Sequence, residues 1–318
     1  MARPARALLI DEEERLLARI AWACEIEGIT QGAAADRFGI TRLRVNKALS
    51  EARRRGIVRV SINSVYGPCA ELEGALTAAY GFRDARVVPT PADPGAVQAI
   101  VGAALGHHLS AVLVRPETRL FGMSWGGTLN LATRYMEPIN RPDLEIVSVM
   151  GGLSKGSDLN SFEITKRLAD QCNAEHSYFT APLYAGSTQS RDVLITQDVF
   201  GRVIAKIRSA DALAMAAGDM AQSLLIRDGI PSEFSVKELI GAGAVGDILG
   251  YMLDRDGKQI DHPINTRLIG IDLEDLRSIP DVILAAGGTH KVAIMRAILN
   301  LDLVNTLVTD EQTAQALL

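Results

Sequence analysis

Aromatic residues are scarce, at 5% of 318 positions. A core must therefore be built mainly from Ala, Val, Ile and Leu. Cysteine is scarcer still, with Cys24, Cys69 and Cys172 the only three. Odd in number and far apart, they exclude a disulfide scaffold and any CxxC zinc pattern, and they suit a reducing cytoplasm. No apolar run reaches the roughly 18 residues that span a bilayer. The N-terminal MARPARALLIDEEER lacks the apolar stretch of about 7–15 residues that marks a secretory signal. Neither a dinucleotide nor a nucleoside triphosphate is expected, and no hydrolase nucleophile elbow. His107-His108 has no third ligand at metal spacing. No metal and no cofactor are expected.

In bulk the composition is ordinary. Hydrophobic residues are 47% and charged residues 22%, which rules out disorder as the main state. At about 100–200 residues per domain, two domains are expected. The charge is uneven. Residues 1–66 hold 12 basic and 8 acidic side chains, and the remainder holds 21 and 30. Residues 37–59 hold eight basic side chains and one acidic one, Glu51. Such asymmetry points to a small nucleic-acid-facing module on a larger acidic body.

Leu17, Ile20, Ala21 and Cys24 recur at helical spacing, so residues 11–27 are expected to form an amphipathic helix that ends at Gly28. Thr30 caps a short alanine-rich helix from Gln31 to Phe38, and Gly39 makes the turn. Thr41 caps a third helix over 42–55, followed by a strand at 57–62. Two short helices joined by a glycine turn, the second one basic, form the helix-turn-helix pattern. At 100° per residue, Val45, Ala48, Leu49 and Ala52 face inward, and Leu43, Asn46, Lys47, Ser50 and Arg54 face outward. Asn46 suits adenine, Lys47 guanine and Leu43 a thymine methyl. Arg42, Arg44 and Arg53 suit phosphates, with Gln31 and Thr41 beside them. The competing reading is a plain solvated helix. The expected DNA-binding domain is 1–62, with SVYGP at 64–68 as linker.

Residues 63–318 are expected to form a larger α/β domain. Leu72, Ala75, Leu76 and Ala79 recur at helical spacing, as a stripe for pairing subunits or for packing on the same domain. Short apolar runs then alternate with helical segments: 118–124, 145–150, 174–181, 211–218, 281–288 and 305–310. This alternation is the signature of a largely parallel sheet covered by helices. DRDGK at 254–258 reads as a hairpin turn. Several junctions that read as strand-to-helix are glycine-rich: WGGTL with Gly126, Gly127 and Thr128, the pair Gly151-Gly152, GAGAVGDI with Asp247, and AAGGTHK with Gly287, Gly288 and Lys291. TDE, with Asp310 and Glu311, is placed similarly. Backbone N–H groups at such junctions suit an anion. The acids suit sugar hydroxyls, as hydrogen-bond acceptors or as general bases.

EGITQ, FGITRLRVNKAL and GIVRV, followed in order by GMSWGGTL, VSVMGGL, GAGAVGDI, AAGGTHK and LVTDEQTA, resemble the SorC family of bacterial transcriptional regulators over nearly the whole chain. TRLRVNKALSEAR is similar to the polyol and erythritol-regulator branch. Thr41-Arg42 stands where many members have Ser-Arg. The resemblance implies an N-terminal helix-turn-helix and an α/β effector domain similar in fold to sugar-phosphate isomerases. It implies a non-enzymatic regulator of a sugar or polyol operon. Its partners would be operator DNA, a sugar, polyol or sugar-phosphate effector, and further copies of itself. The alternative is a sugar-phosphate isomerase or deaminase carrying a basic N-terminal appendage.

Overall fold

The computed structural model describes residues 12–58, 64, 66–153 and 159–318. The chain divides after Ser64 into two compact units. In the first, α1 (Glu12–Glu25), α2 (Gln31–Phe38) and α3 (Arg42–Arg54) enclose a small core. That core holds Leu17, Ile20, Ala34, Val45, Leu49 and Ala52. Thr30 Oγ1 accepts from Ala33 N and Thr41 Oγ1 from Arg44 N, both at 3.2 Å, so each helix starts where its cap stands. Gly39, at φ 65°, supplies the left-handed turn between them. Of the strand expected at 57–62, residues 59–62 lie outside the described residues, and Ile57 and Val58 are not in strand conformation.

The second unit is built on a seven-stranded sheet. Its strands are β1 (Asp84–Val88), β2 (Leu120–Met123), β3 (Glu145–Ser148), β4 (Glu175–Ser177), β5 (Ala212–Met215), β9 (Val282–Ala285) and β10 (Thr306–Asp310). The order is β1-β10-β9-β5-β2-β3-β4, and every pairing is parallel. Buried on both faces, the central strands read as unbroken apolar runs such as ALAM and VILA. A second sheet is antiparallel: β6 (Ala217–Asp219), β7 (Gly246–Ile248) and β8 (Tyr251–Leu253). The hairpin turn lies at Leu249-Gly250, with φ of 53° and 88°. DRDGK is followed only by an isolated bridge between Leu253 and Gln259, so the turn expected there closes no strand pair.

Gly67 and Pro68 open a helix, Gly67–Tyr80, where a linker was expected. Proline is tolerated in a first helical turn. Leu76 of that helix is fully buried in its own domain, and Leu72 packs beside it. Only Ala75 and Ala79 of the stripe face solvent. The helix Val97–Leu113 lies in the core along Val97, Val101, Leu105 and Leu109. With its preceding turn it is long and apolar enough to cross a membrane by length and composition, and half of that window is buried in the fold. It closes tightly on the helix Gly127–Tyr135. A Cβ on Gly102 would meet Leu131 Cβ at 2.7 Å, and one on Gly106 would meet the Ala132 carbonyl at 2.7 Å.

His108, on the same helix, is buried with neither ring nitrogen hydrogen-bonded. Its nearest acid is Asp84, at 3.8 Å. Burial holds its pKa below the ordinary 6.5, aided by Arg86 and opposed by Asp84 and Asp281. A lowered histidine pKa means that the unfolded chain binds the proton first. The stability present above pH 6.5 is therefore lost as pH falls toward the folded value. His108→Leu is expected to stabilise the protein by about 1 kcal/mol at neutral pH, because it removes unsatisfied polar atoms. It should also flatten the loss between pH 7 and 5 in thermal melts. Parallel melting-temperature profiles for the two proteins would contradict this.

Candidate functional site

Two surfaces carry the candidate residues. On the first unit, Arg42, Leu43, Arg44, Asn46 and Lys47 are all exposed on α3, and Leu43 is 65% accessible despite being apolar. Thr41 is exposed at the cap, and Gln31 is half-buried at the start of α2. Among the described residues, Arg42, Arg44 and Lys47 form no ion pair. Arg53 differs: its guanidinium donates to Glu25 on α1 at 2.7 Å. Arg54 and Arg55 are held by Glu51, and the two guanidinium groups bring its carboxyl down to about 2.

On the second unit, the order of the main sheet reverses direction between β5 and β2. Succeeding strands run one way from β2 through β3 to β4. They run the other way from β5 through β9 to β10. In open α/β sheets the crevice at such a switch point, beyond the carboxyl ends of the strands, is where ligands bind. A cleft of about 460 Å³ lies there. Its lining includes Gly126, Gly127 and Thr128 after β2, Ala216 to Asp219 after β5, and Gly287, His290 and Lys291 after β9.

The floor is charged. Asp219 and Asp247 are both buried, at 5% and 4% accessibility. β6 and β7 place Gly218 opposite Asp247. A Cβ on Gly218 would sit 2.0 Å from Asp247 Oδ1, so only glycine leaves that carboxylate its place. Burial raises Asp247 to about 7, against the opposing effects of the Gly250 N–H and the Lys291 charge. Lys291 Nζ donates to the Ala217 carbonyl at 3.0 Å. Burial lowers its pKa, and Asp219 and Asp247 partly restore it. Asp219 Oδ1 accepts from the N–H groups of Ala221 and Gln222, both at 2.8 Å, and Oδ2 lies 3.9 Å from His290 Nε2. One wall is the start of the helix Gly127–Tyr135, which has no side-chain cap. The Gln98 amide lies over Gly127, within 3.0 Å of where a Cβ would stand. Trp125, Leu159, Leu224 and Leu225 add an apolar wall, and Arg227 a cation. The arrangement offers N–H groups to an anion and carboxylates to hydroxyl groups.

Thus Gly126, Gly127, Thr128, Asp247, Gly287 and Lys291 converge, and four expected residues do not. Gly151 and Gly152 serve close packing, against the Pro182 carbonyl and the Phe162 ring. The Gly288 N–H is already taken by Asp310 Oδ1 and Thr313 Oγ1. Glu311 opens the helix Glu311–Leu317 outside the cleft lining. GAGAVGDI runs from a helix into β7, not from a strand into a helix. Gly241, Gly243 and Gly246 do spell GxGxxG, but in a direction opposite to the strand–loop–helix order of a dinucleotide loop. GMSWG, residues 122–126, spells GxSxG at a strand-to-helix turn. Ser124 is 1% accessible, lies outside the cleft lining and bonds no histidine among the described residues. Asp219, Gln98, His290 and Arg227 escape sequence reasoning. The one sequence signal for Asp219 is that Gly218-Asp219 repeats the dipeptide Gly246-Asp247.

A family model described as "Putative sugar-binding domain" matches residues 65–318. The erythritol catabolism regulatory protein EryD of Brucella abortus is 27% identical over 98% of each chain. The transcriptional regulator LsrR of Escherichia coli O139:H28 is 33% identical over 96% of this chain and 95% of its own. The full-length sorbitol operon regulator SorC from Klebsiella pneumoniae is alike in fold, with TM-score 0.69 at 24% identity over 96% of this chain and 98% of its own. A DeoR family transcriptional regulator from Listeria monocytogenes gives TM-score 0.71 at 26% identity, over 78% of this chain and 99% of its own.

The raised pKa of Asp247 has a consequence for stability. The folded protein holds this proton more tightly than the unfolded chain, so stability is full below the unfolded pKa of 3.8 and declines as pH rises through about 7. Asp247→Asn keeps the neutral shape and removes the proton. Between pH 5 and 8 the wild type is expected to lose stability relative to the variant. Thermal melts in which the difference between the two proteins is constant with pH would refute the assignment.

Proposed function

This chain belongs to the SorC family of sugar-binding transcriptional regulators, and we propose that it reads operator DNA through α3 while the switch-point cleft binds a phosphorylated sugar or polyol. It is a transcriptional regulator of sugar catabolism; among its relatives, EryD is named for erythritol catabolism and LsrR as a transcriptional regulator. The enzyme alternative is not favoured. The observation that carries the effector reading is the pairing of two surfaces in one cleft: an uncapped helix start, and a floor of buried Asp219 and Asp247 with half-buried Lys291. A phosphate suits the free N–H groups of the first. Hydroxyl groups suit the carboxylates and the ammonium of the second. Because relatives are named for erythritol and sorbitol, the candidate effectors are polyols of four to six carbons and their phosphates.

One helix-turn-helix makes few base contacts, so selectivity rests on two half-sites related by protein symmetry. A homo-oligomer working in the cytoplasm follows from this reading. It is tested by sedimentation: a species of 34.1 kDa, free and on DNA, would reject it.

Gel shifts with the operator, with and without erythritol, sorbitol, ribose and their phosphates, test the whole reading. Lys291→Ala is expected to bind operator as wild type does and to lose the response to effector. A variant responding at wild-type effector concentration would remove Lys291 from the site. Asn46→Ala should relax base preference at one operator position, at a cost of about 1–3 kcal/mol for a lost bidentate contact. Arg44→Ala should weaken binding to all sequences alike and flatten the salt dependence. Arg53→Ala should do so less, because its guanidinium is already paired with Glu25. Unchanged operator selectivity in Asn46→Ala would show that another face of α3 reads the bases.

A further inference from the structure

The cleft has two walls that come from distant stretches of sequence. Residues 90–98 run from the end of β1 into the helix Val97–Leu113, and bring Pro94, Gly95, Val97 and Gln98 to the cleft. Residues 287–291 follow β9 and bring Gly287, His290 and Lys291. Between their roots lies the side chain of Asp310, at the end of β10. It is 1% accessible and is not part of the cleft lining.

Each oxygen serves one wall, and both also bond Thr313 of the helix Glu311–Leu317 that Asp310 caps. Oδ2 accepts from Thr90 Oγ1 at 2.7 Å, and Thr90 Oγ1 in turn accepts from Gln312 N at 2.8 Å. Oδ1 accepts from Gly288 N at 2.8 Å and from Thr313 Oγ1. A Cβ on Gly287 would stand 2.7 Å from that same Oδ1, so the carboxylate lies directly beneath the cleft-lining glycine. Burial alone would raise the pKa of Asp310. Hydrogen bonds from Thr313, Thr90 and Gly288 more than reverse this, so the acceptor is held charged. Charge-assisted hydrogen bonds are stronger than neutral ones, and a buried network with every member satisfied is rigid.

We propose that Asp310 is a positioning residue: it pins the 90–98 wall to the 287–291 wall and sets the width within which an effector must fit. This rests on the effector reading of the cleft given above. It assigns Asp310 no contact with the effector. The consequence is discrimination by size. A polyol that is too short cannot reach both the helix start and the carboxylate floor, and one that is too long cannot be accommodated while the walls are pinned.

The test uses the full-length protein and two variants. Asp310→Asn keeps the shape and removes the charge. Thr90→Val cuts the tie to one wall only and keeps the fold accessible to measurement if Asp310→Asn does not fold. By hydrogen–deuterium exchange, Asp310→Asn is expected to speed exchange in residues 89–96 and 286–291 together, by about ten-fold or more, with β2 and β3 unchanged. Thr90→Val is expected to loosen 89–96 alone. Uniform loosening of the whole unit, or wild-type exchange rates at both walls, would overturn the proposal. Thermal stabilisation by erythritol 4-phosphate, ribose 5-phosphate and sorbitol 6-phosphate supplies the second readout. In Asp310→Asn the ratio of the four-carbon to the six-carbon midpoint is expected to change about five-fold or more, since a general loss of stability would weaken both alike. An unchanged ratio overturns the proposal. If none of the three stabilises the wild type, the effector reading fails, and the exchange rates still decide whether Asp310 pins the walls.

Discussion

A sheet whose seven strands are all parallel must present all its carboxyl ends at one edge. Everything that faces the cleft depends on this constraint. Three strands, β2, β5 and β9, end side by side there, and a glycine follows each of them within three residues. The connections from β2 and β5 diverge to opposite sides of the sheet order. The cleft is the space left by that divergence, and the residues around it are those with which the strands happen to end. The second sheet closes the cleft from below by putting β6 and β7 side by side, so that two Gly-Asp dipeptides lie in register across them.

The floor that results is a compromise between burial and charge. Two carboxylates out of water repel each other and are costly to ionise. Lys291 lowers that cost and is itself stabilised as a cation by both. The two carboxylates solve the problem differently. Asp219 satisfies one oxygen with two backbone N–H groups and lies near His290 with the other. Asp247 has only a long bond, 3.4 Å, from the Gly250 N–H, and rises to about 7. A polyol supplies what Asp247 lacks, because a hydroxyl group donates to the carboxylate while its oxygen accepts from an ammonium. A hydrocarbon would leave Asp247 with nothing better than that long bond. On the proposed effector reading, this is why the floor would favour hydroxyl-rich ligands.

The central strands were legible from the residues alone because a strand buried on both faces is an uninterrupted apolar run. The edge strand β1, DARVV, was not: it carries Asp84 and Arg86 toward solvent and is too short and too charged to stand out. DALAMAAG reads as one strand and is two, because the chain leaves the main sheet at Ala216 and pairs with β7 so that Gly218 can lie under Asp247. The glycine junctions were legible as a class but not individually. Gly151-Gly152 and Gly126-Gly127 are the same dipeptide after adjacent strands, yet the first admits a neighbouring carbonyl and an aromatic ring, and the second opens an uncapped helix. Gln98, His290 and Arg227 are residue types found on any surface. Only the crossover that brings three distant segments to one edge gives them a common purpose.

Charge in the first unit shows the same gap between composition and geometry. Eight basic side chains to one acidic one in residues 37–59 suggests a uniformly positive face. Acids from outside that window alter the picture. Glu27 takes Arg37, Glu25 takes Arg53, and Glu13 joins Glu51 in taking Arg55, while Glu51 also holds Arg54. These pairs are exposed, so each adds little to stability, but each reduces the charge available to a phosphate. Those left without an ion pair among the described residues are Arg42, Arg44 and Lys47, all in the first half of α3. In a helix-turn-helix the first half of the second helix is the part that meets base edges. The pairing thus leaves the unneutralised charge beside Leu43 and Asn46, two of the side chains that the proposed reading assigns to base edges, and holds the second half of the helix against α1.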